Sequence, residues 1–229
     1  MPLSDICVQV ACASMGTLNV MSSGPPLRER KKQRTRQALI DTALALFTHR
    51  GFGGVTLDEL CDEVEVSKRT FFRYFTSKED VAMAPLEDMW RAFLEELERA
   101  EPDGRPLIAL LESALMEALD RMPEDDWPGR ALLSHRLSRA TPSMGAHGLH
   151  FCERSTRAAL EIMRRRFDLP EDPRPRFAGD MLVAAFNHAL DGWADRQGPQ
   201  APDVQDLAAR VRAAVAAMPG ALTLTAAPR

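Results

Sequence analysis

The sequence predicts an all-α protein: an N-terminal three-helix unit with a helix-turn-helix outline, then a C-terminal helical bundle, about nine helices in all. Three observations lead there. The 229 residues include a single Tyr and 16 Pro among abundant Ala, Leu, Glu and Arg, a mixture that favours helices with Pro-marked breaks over a sheet. Apolar residues recur at i, i+3, i+4 and i+7 in segment after segment, the period of helices with one buried face. Helix-start signals at Thr56 and Ser67 stand so close together that only a helix of about two turns fits between them.

The elements follow in order. Residues 1–26 end in Met21-Ser-Ser-Gly-Pro-Pro, lack a helical period, and are expected to form a flexible extension, with Met21 as an alternative start. A first helix is predicted from about Glu29 to His49, with Ile40, Ala43, Leu44 and Phe47 on one face and Gly51 ending it. Thr56-Leu-Asp-Glu59 reads as a capping box, in which the hydroxyl takes an orphan amide and the carboxylate reaches back. Its helix turns Leu57, Leu60, Cys61 and Val64 inward. Ser67 caps a short helix through Phe75, and Ser77 caps a much longer one. Residues 27–82 are thus one expected domain and residues 83–229 another. In the second, stripes such as Leu86, Met89, Trp90, Phe93 and Leu97, or Phe177, Met181, Ala185 and Phe186, mark successive helices. Others are predicted from Pro128 to Arg139, from about Ser143 to Phe167, and from Val204 to Met218.

Charge is unevenly placed. The formal net charge is −4, which argues against indiscriminate coating of nucleic acid, yet residues 25–80 hold 11 Lys or Arg against 9 Asp or Glu. Arg28, Arg30, Lys31, Lys32, Arg34 and Arg36 are opposed locally only by Glu29. A small segment carries the positive charge, and phosphate would repel the acidic remainder. Cys7, Cys12, Cys61 and Cys152 show no metal or disulfide spacing, there is no basic leader, and no apolar run reaches bilayer length. A cytoplasmic protein with no cofactor and no membrane partner is expected. Phosphate loops, nucleophile elbows and dinucleotide fingerprints are missing from the sequence, so an enzyme is not expected.

The block from Gly51 to Asp80, containing Thr56-Leu-Asp-Glu-Leu and Ser67-Lys-Arg-Thr-Phe-Phe-Arg-Tyr-Phe, closely resembles the helix-turn-helix of TetR-type repressors. The likeness covers roughly residues 30–82. It implies that Lys68 and Arg69 read bases, that Thr70 bridges base and phosphate, and that Tyr74, Lys78 and Thr56 hold phosphate. Ser67 is a cap first and a DNA contact second. Phe72 stands where many members have Tyr, so a hydroxyl-to-phosphate bond is lost and Arg73 is expected to compensate. Lys32, Arg34 and Arg36 would add backbone contacts. Helical spacing supports this: Lys68, Arg69, Thr70 and Arg73 face outward while Phe71 and Phe75 turn inward.

For the C-terminal part the resemblance implies a homodimer joined through its last two long helices and a cavity for a small hydrophobic effector. Effector binding would shift the helix beginning at Ser77 and release double-stranded operator DNA. Trp90, Phe93, Leu133, Phe151, Phe186 and Trp193 are the candidate lining. His135 and His188 are candidate polar orienters within it. His147, His150 and Cys152 lack a fourth ligand at a recognisable spacing, so no metal is expected. A helical protein-interaction module, or an activator with the same DNA-binding unit, remains the alternative.

Overall fold

The computed structural model describes residues 27–124, 126–195 and 203–226. The extension expected over residues 1–26, and the choice between Met1 and Met21, lie outside them. Among the described residues the chain forms helices and no strand: α1 Leu27–Arg50, α2 Leu57–Glu63, α3 Lys68–Phe71, α4 Lys78–Arg99, α5 Leu107–Asp120, α6 Trp127–Ala140, α7 Pro142–Arg166, α8 Arg174–Ala194 and α9 Val204–Leu222. A 3₁₀ turn over Phe52–Gly54 links α1 to α2. No described helix is long and apolar enough to cross a membrane.

The helix starts follow their caps. Thr56 accepts from the Glu59 amide while the Glu59 carboxylate takes the Thr56 amide, a complete capping box. Ser67 accepts from the Thr70 amide and Ser77 from the Asp80 amide. Gly51 sits at φ 76° and ψ 149°, a backbone combination open essentially only to glycine, and it lets the chain leave α1 sharply. Between α2 and α3, Glu65 turns the chain at φ 55°, where a glycine is more usual.

Around this turn a small core assembles. Leu39, Ile40, Leu44 and Phe47 of α1 meet Leu60 and Cys61 of α2 and the rings of Phe71 and Phe75, with Val81 and Ala82 of α4 closing it. The α-helix of α3 is shorter than the sequence predicts: it ends at Phe71, and turn bonds such as Tyr74 N–H to the Phe71 carbonyl (2.8 Å) carry the chain on. Tightening the last turn still keeps Phe71 and Phe75 on the inner side, with ring centroids 5.7 Å apart. Leu57 and Val64 are only half-buried at the rim of this core.

Helix α4 runs as a single element from the small core into the bundle, where it packs on α5, α6 and α7. Pro85 interrupts its hydrogen-bond ladder, since proline has no N–H to donate. The indole N–H of Trp127 donates to the Pro85 carbonyl at 2.8 Å and pins α6 at that point. Helix α8 lies along α9, and α5 meets both α4 and α8. Phe177, placed on the buried stripe of α8 by its sequence spacing, is instead 57% exposed. The inner positions of that turn belong to Pro175 and Gly179, so the buried face begins at Pro175 and passes Phe177 by.

Replacing Phe71, which is 0% exposed, with Ala removes a ring from a core too small to collapse around the gap. Phe71→Ala is expected to cost about 3–5 kcal/mol, read as a lowered midpoint in urea unfolding followed by circular dichroism.

Candidate nucleic-acid interface and ligand cavity

Helices α2 and α3 present one polar surface. Thr56 Oγ1 donates to Glu59 Oε2 at 2.8 Å and accepts from the Glu59 amide at 3.2 Å. Arg50 joins the same carboxylate from the end of α1. The Thr56 amide, helped by Arg50, holds the Glu59 carboxyl at about 2 instead of 4.5. Ser67 and Thr70 share a hydroxyl contact of 3.0 Å at the start of α3, so both are tied into the cap.

The expected base-reading residues divide into tethered and free. Lys68 pairs with Asp58 of α2 at 2.8 Å, and that carboxylate pushes its ammonium pKa up. Arg69 is exposed and without a hydrogen-bond or ion-pair partner among the described residues. Arg73 lies 5.0 Å over the Tyr74 ring and donates to its hydroxyl at 3.2 Å. Phe72 is 55% exposed on the same side. The basic run of α1 meets this surface: Arg28, Lys31, Lys32 and Thr35 line one groove with Arg73 and Tyr74. Lys32 pairs only with Glu29, at 3.3 Å on an exposed face, and Arg34 has no partner among the described residues.

Two of the expected contact residues are held within the unit. Lys78 does not offer its ammonium outward: Nζ donates to the carbonyls of Val55 (2.6 Å) and Phe52 (3.0 Å) and lies 4.6 Å from the Phe52 ring centroid. It laces the 3₁₀ turn to α4. Arg36 likewise faces inward, donating with both terminal nitrogens to Asp88 at 2.7 and 2.9 Å while its guanidinium sits 5.3 Å from the Phe75 ring centroid. Each is a strut inside the unit, because a stronger set of acceptors lies within reach than solvent supplies.

In the bundle, Trp90, Phe93 and Phe151 line a narrow cavity with Leu111, Thr156 and Leu182. Its free space is about 20 Å³, room for about one water. A wider, open cavity of about 200 Å³ adjoins it across Trp90, Phe151 and Cys152, walled by α4, α6, α7 and α8 and including Phe186. Trp90 packs edge-on against Phe93 and Phe186 at 5.3 and 5.1 Å. Leu133 and Trp193 stand outside both cavities. Trp193 packs toward α9, its indole donating to the Asp203 carbonyl at 3.2 Å.

Polar groups punctuate this wall. His135, whose pKa burial lowers, meets Asp191 at 2.9 Å. His147 does not join His150 or Cys152; its Nε2 is 2.9 Å from Glu87 Oε1. Ligand atoms of Asp80, Glu87 and His147 lie within 4.8 Å of one another, but Arg91 already pairs with Glu87, and Thr76 donates to Asp80. His188 is exposed on α8 and lines the shallow face between α8 and α9 instead of the cavity. Sequence reasoning passed over Glu87, although a signal was present: in Met83, Leu86, Glu87 and Trp90 a carboxylate occupies one slot of an apolar stripe.

A three-helix unit with an exposed cationic face, fused through one helix to a body with a lined cavity, is the plan of a helix-turn-helix transcriptional regulator. Residues 39–84 match the family described as Bacterial regulatory proteins, tetR family. The chain is 37% identical over 170 residues to the HTH-type transcriptional regulator TcmR of Streptomyces glaucescens, spanning 72% of this chain and 73% of that one. It is 37% identical over 71 residues to the HTH-type transcriptional repressor NemR of Escherichia coli (strain K12), 31% of this chain and 36% of that one. A solved TetR-family regulator from Syntrophomonas wolfei superposes with a TM-score of 0.54 at 17% identity, covering 86% of this chain and 99% of that one. The SmeT–triclosan complex does so at 0.50 and 22% identity, covering 81% and 91%. The chain belongs to the TetR family of transcriptional regulators.

Glu59 supplies a pH test of the cap. Because its folded pKa is depressed, its contribution is present above pH 4.5 and is lost as the pH falls toward about 2. Thermal melts of wild type and Glu59→Gln should therefore differ most above pH 4.5 and converge toward pH 2; a constant gap would contradict the assignment.

Proposed function

We propose that the chain is a homodimeric repressor in which residues 27–82 grip operator DNA and residues 83–229 dimerise and bind a small hydrophobic effector that releases it. The observation that carries this reading is the convergence of weakly held cations from α1 with Arg73, in the turn that follows α3, on one groove. Arg69 and Lys68 are assigned to base edges, Thr70 and Ser67 to base and backbone, and Tyr74, Arg73, Thr56, Lys32 and Arg34 to phosphates. Phe72 lies against the sugar and base edge. Exposed ion pairs are worth only about 0–1 kcal/mol, so Lys68 can leave Asp58 for DNA at little cost. Lys78 and Arg36 serve by holding the unit rigid, and the amide end of α4 is what remains at Lys78 for a phosphate.

Dimerisation is assigned to α8 and α9. Their outer face is a shallow groove of small side chains, among them Ala184, Gly192, Ala213 and Ala217, which permits close helix approach by a second copy. The two recognition helices must then stand about 34 Å apart, or a multiple of that, to enter successive major grooves. The aromatic lining of Trp90, Phe93, Phe151 and Phe186 suits an apolar effector, and opening the nearly closed cavity would push on α4. No enzymatic role is assigned, and the protein is taken to work in the cytoplasm with neither membrane nor metal.

Fluorescence polarisation with duplexes from the region upstream of its own gene tests the reading. Binding should weaken steeply with sodium chloride; salt-independent or absent binding would refute it. Arg69→Ala should cut the preference for operator over random DNA by about tenfold, whereas Arg34→Ala should weaken both alike. Ala217→Glu, at an exposed position, should give monomers in sedimentation equilibrium and abolish operator binding.

A further inference from the structure

One carboxylate belongs both to the cavity wall and to a chain of ion pairs that reaches the DNA-binding helices. Glu87 of α4 is 2% exposed and lines the 200 Å³ cavity. Its Oε1 meets His147 of α7 at 2.9 Å, and its Oε2 accepts from Arg91 at 2.6 Å. The other terminal nitrogen of Arg91 donates to Asp88 Oδ1 at 2.6 Å. That same oxygen accepts from Arg36 of α1 at 2.9 Å, and Arg36 lies over Phe75, which closes the recognition turn. Glu87, Arg91, Asp88 and Arg36 thus form an unbroken charged path from cavity to α1.

Sharing gives the path its sensitivity. Arg91 divides its hydrogen bonds between two carboxylates, and Asp88 Oδ1 divides its acceptance between two guanidinium groups. When Glu87 is neutralised or taken by another donor, Arg91 turns wholly to Asp88 and competes there with Arg36. The clamp between α1 and α4 then loosens. A buried carboxylate loses more by being left unpaired than an exposed one, so a ligand cation that reaches Glu87 is held firmly. Burial already raises the Glu87 pKa.

We propose that Glu87 is the sensing residue of this cavity: an apolar ligand bearing a cationic or hydrogen-bond-donating nitrogen docks that nitrogen on Glu87, and Arg91 relays the event through Asp88 to Arg36. The inference rests on the ligand-released reading above and adds the chemical class of the effector and its route to the DNA-binding unit.

Matched probes test it on the full-length dimer: 1-naphthylmethylammonium, neutral 1-naphthalenemethanol and 1-naphthylacetate, with binding measured by calorimetry. The ammonium should bind wild type about tenfold tighter than the alcohol, and Glu87→Gln should erase that preference. Equal affinities in wild type would overturn the assignment. In polarisation with the upstream duplex, the ammonium should release wild type. Arg91→Gln alters a side chain 48% exposed, so the test does not depend on the buried variant folding. This variant should still bind both DNA and the ammonium yet resist release; release equal to wild type would overturn the relay. Release by zinc chloride but not by the ammonium would give the carboxylate to a metal ion with Asp80 and His147, and would also overturn it. Wild type that binds the ammonium but not the duplex would sink the repressor reading instead, while calorimetry would still judge Glu87.

Discussion

The structure depends on one helix being shared. The core formed by α1, α2 and α3 is built around Phe47, Phe71 and Phe75 and is too small to stand without Val81 and Ala82, which open α4. The same helix, two turns later, contributes Met89, Trp90 and Phe93 to the bundle. Packing interiors resist smooth deformation, so α4 cannot tilt in one core without disturbing the other. Lys78 and Arg36 reinforce the joint from opposite ends: one ties the start of α4 to the 3₁₀ turn before α2, the other ties Asp88 back to α1. This explains why two of the basic residues that stand in the cationic stretch of the sequence face inward.

Electrostatic sorting follows from that construction. The cations of the helix-turn-helix unit differ in what holds them. Arg36 makes a bidentate, half-buried pair with Asp88, so in the undisturbed unit its guanidinium is committed to α4 and is not offered outward. Lys68 and Lys32 make exposed pairs with Asp58 and Glu29, and these exchange readily. Arg69 and Arg34 are unpaired among the described residues and are already placed for a polyanion. Although the net charge is −4, the unpaired or exchangeable cations Arg69, Arg34, Lys68 and Lys32 give the helix-turn-helix unit a local positive charge that a polyanion can meet.

Legibility in the sequence tracked the distance between interacting residues. The caps at Thr56, Ser67 and Ser77 were readable because each involves partners three residues away, and the α1 and α4 stripes because helical periodicity is local. The partners of Lys78 lie 23 and 26 residues back, and that of Arg36 lies 52 residues ahead; nothing local distinguishes such a cation from one that faces solvent. The end of α3 was misjudged for the same reason, since the demand to bring both Phe71 and Phe75 into one core is tertiary. Of the cavity candidates, Trp90, Phe93, Phe151 and Phe186 fell where two or more helices converge, whereas Leu133 and Trp193 fell on faces used for ordinary packing. Spacing tells which side of a helix is apolar, not which neighbour covers it.

The wall of the cavity opposite α4 is its least stable part. The first half of α7 carries Gly145 and Gly148, and each glycine inside a helix costs up to about 1 kcal/mol relative to alanine. At Gly148 α7 lies close on α4: a Cβ there would be in ordinary contact, 3.4 Å, with the tip of Met83. Beside it Leu149 is exposed at the cavity mouth. This segment has low helix propensity and is fastened to α4 through His147 and Glu87, so its local support rests largely on that contact. Displacing His147 would strip a partner from Glu87 Oε1 and leave that oxygen open to a donor on the entering molecule, so steric entry and the proposed docking meet at the same carboxylate.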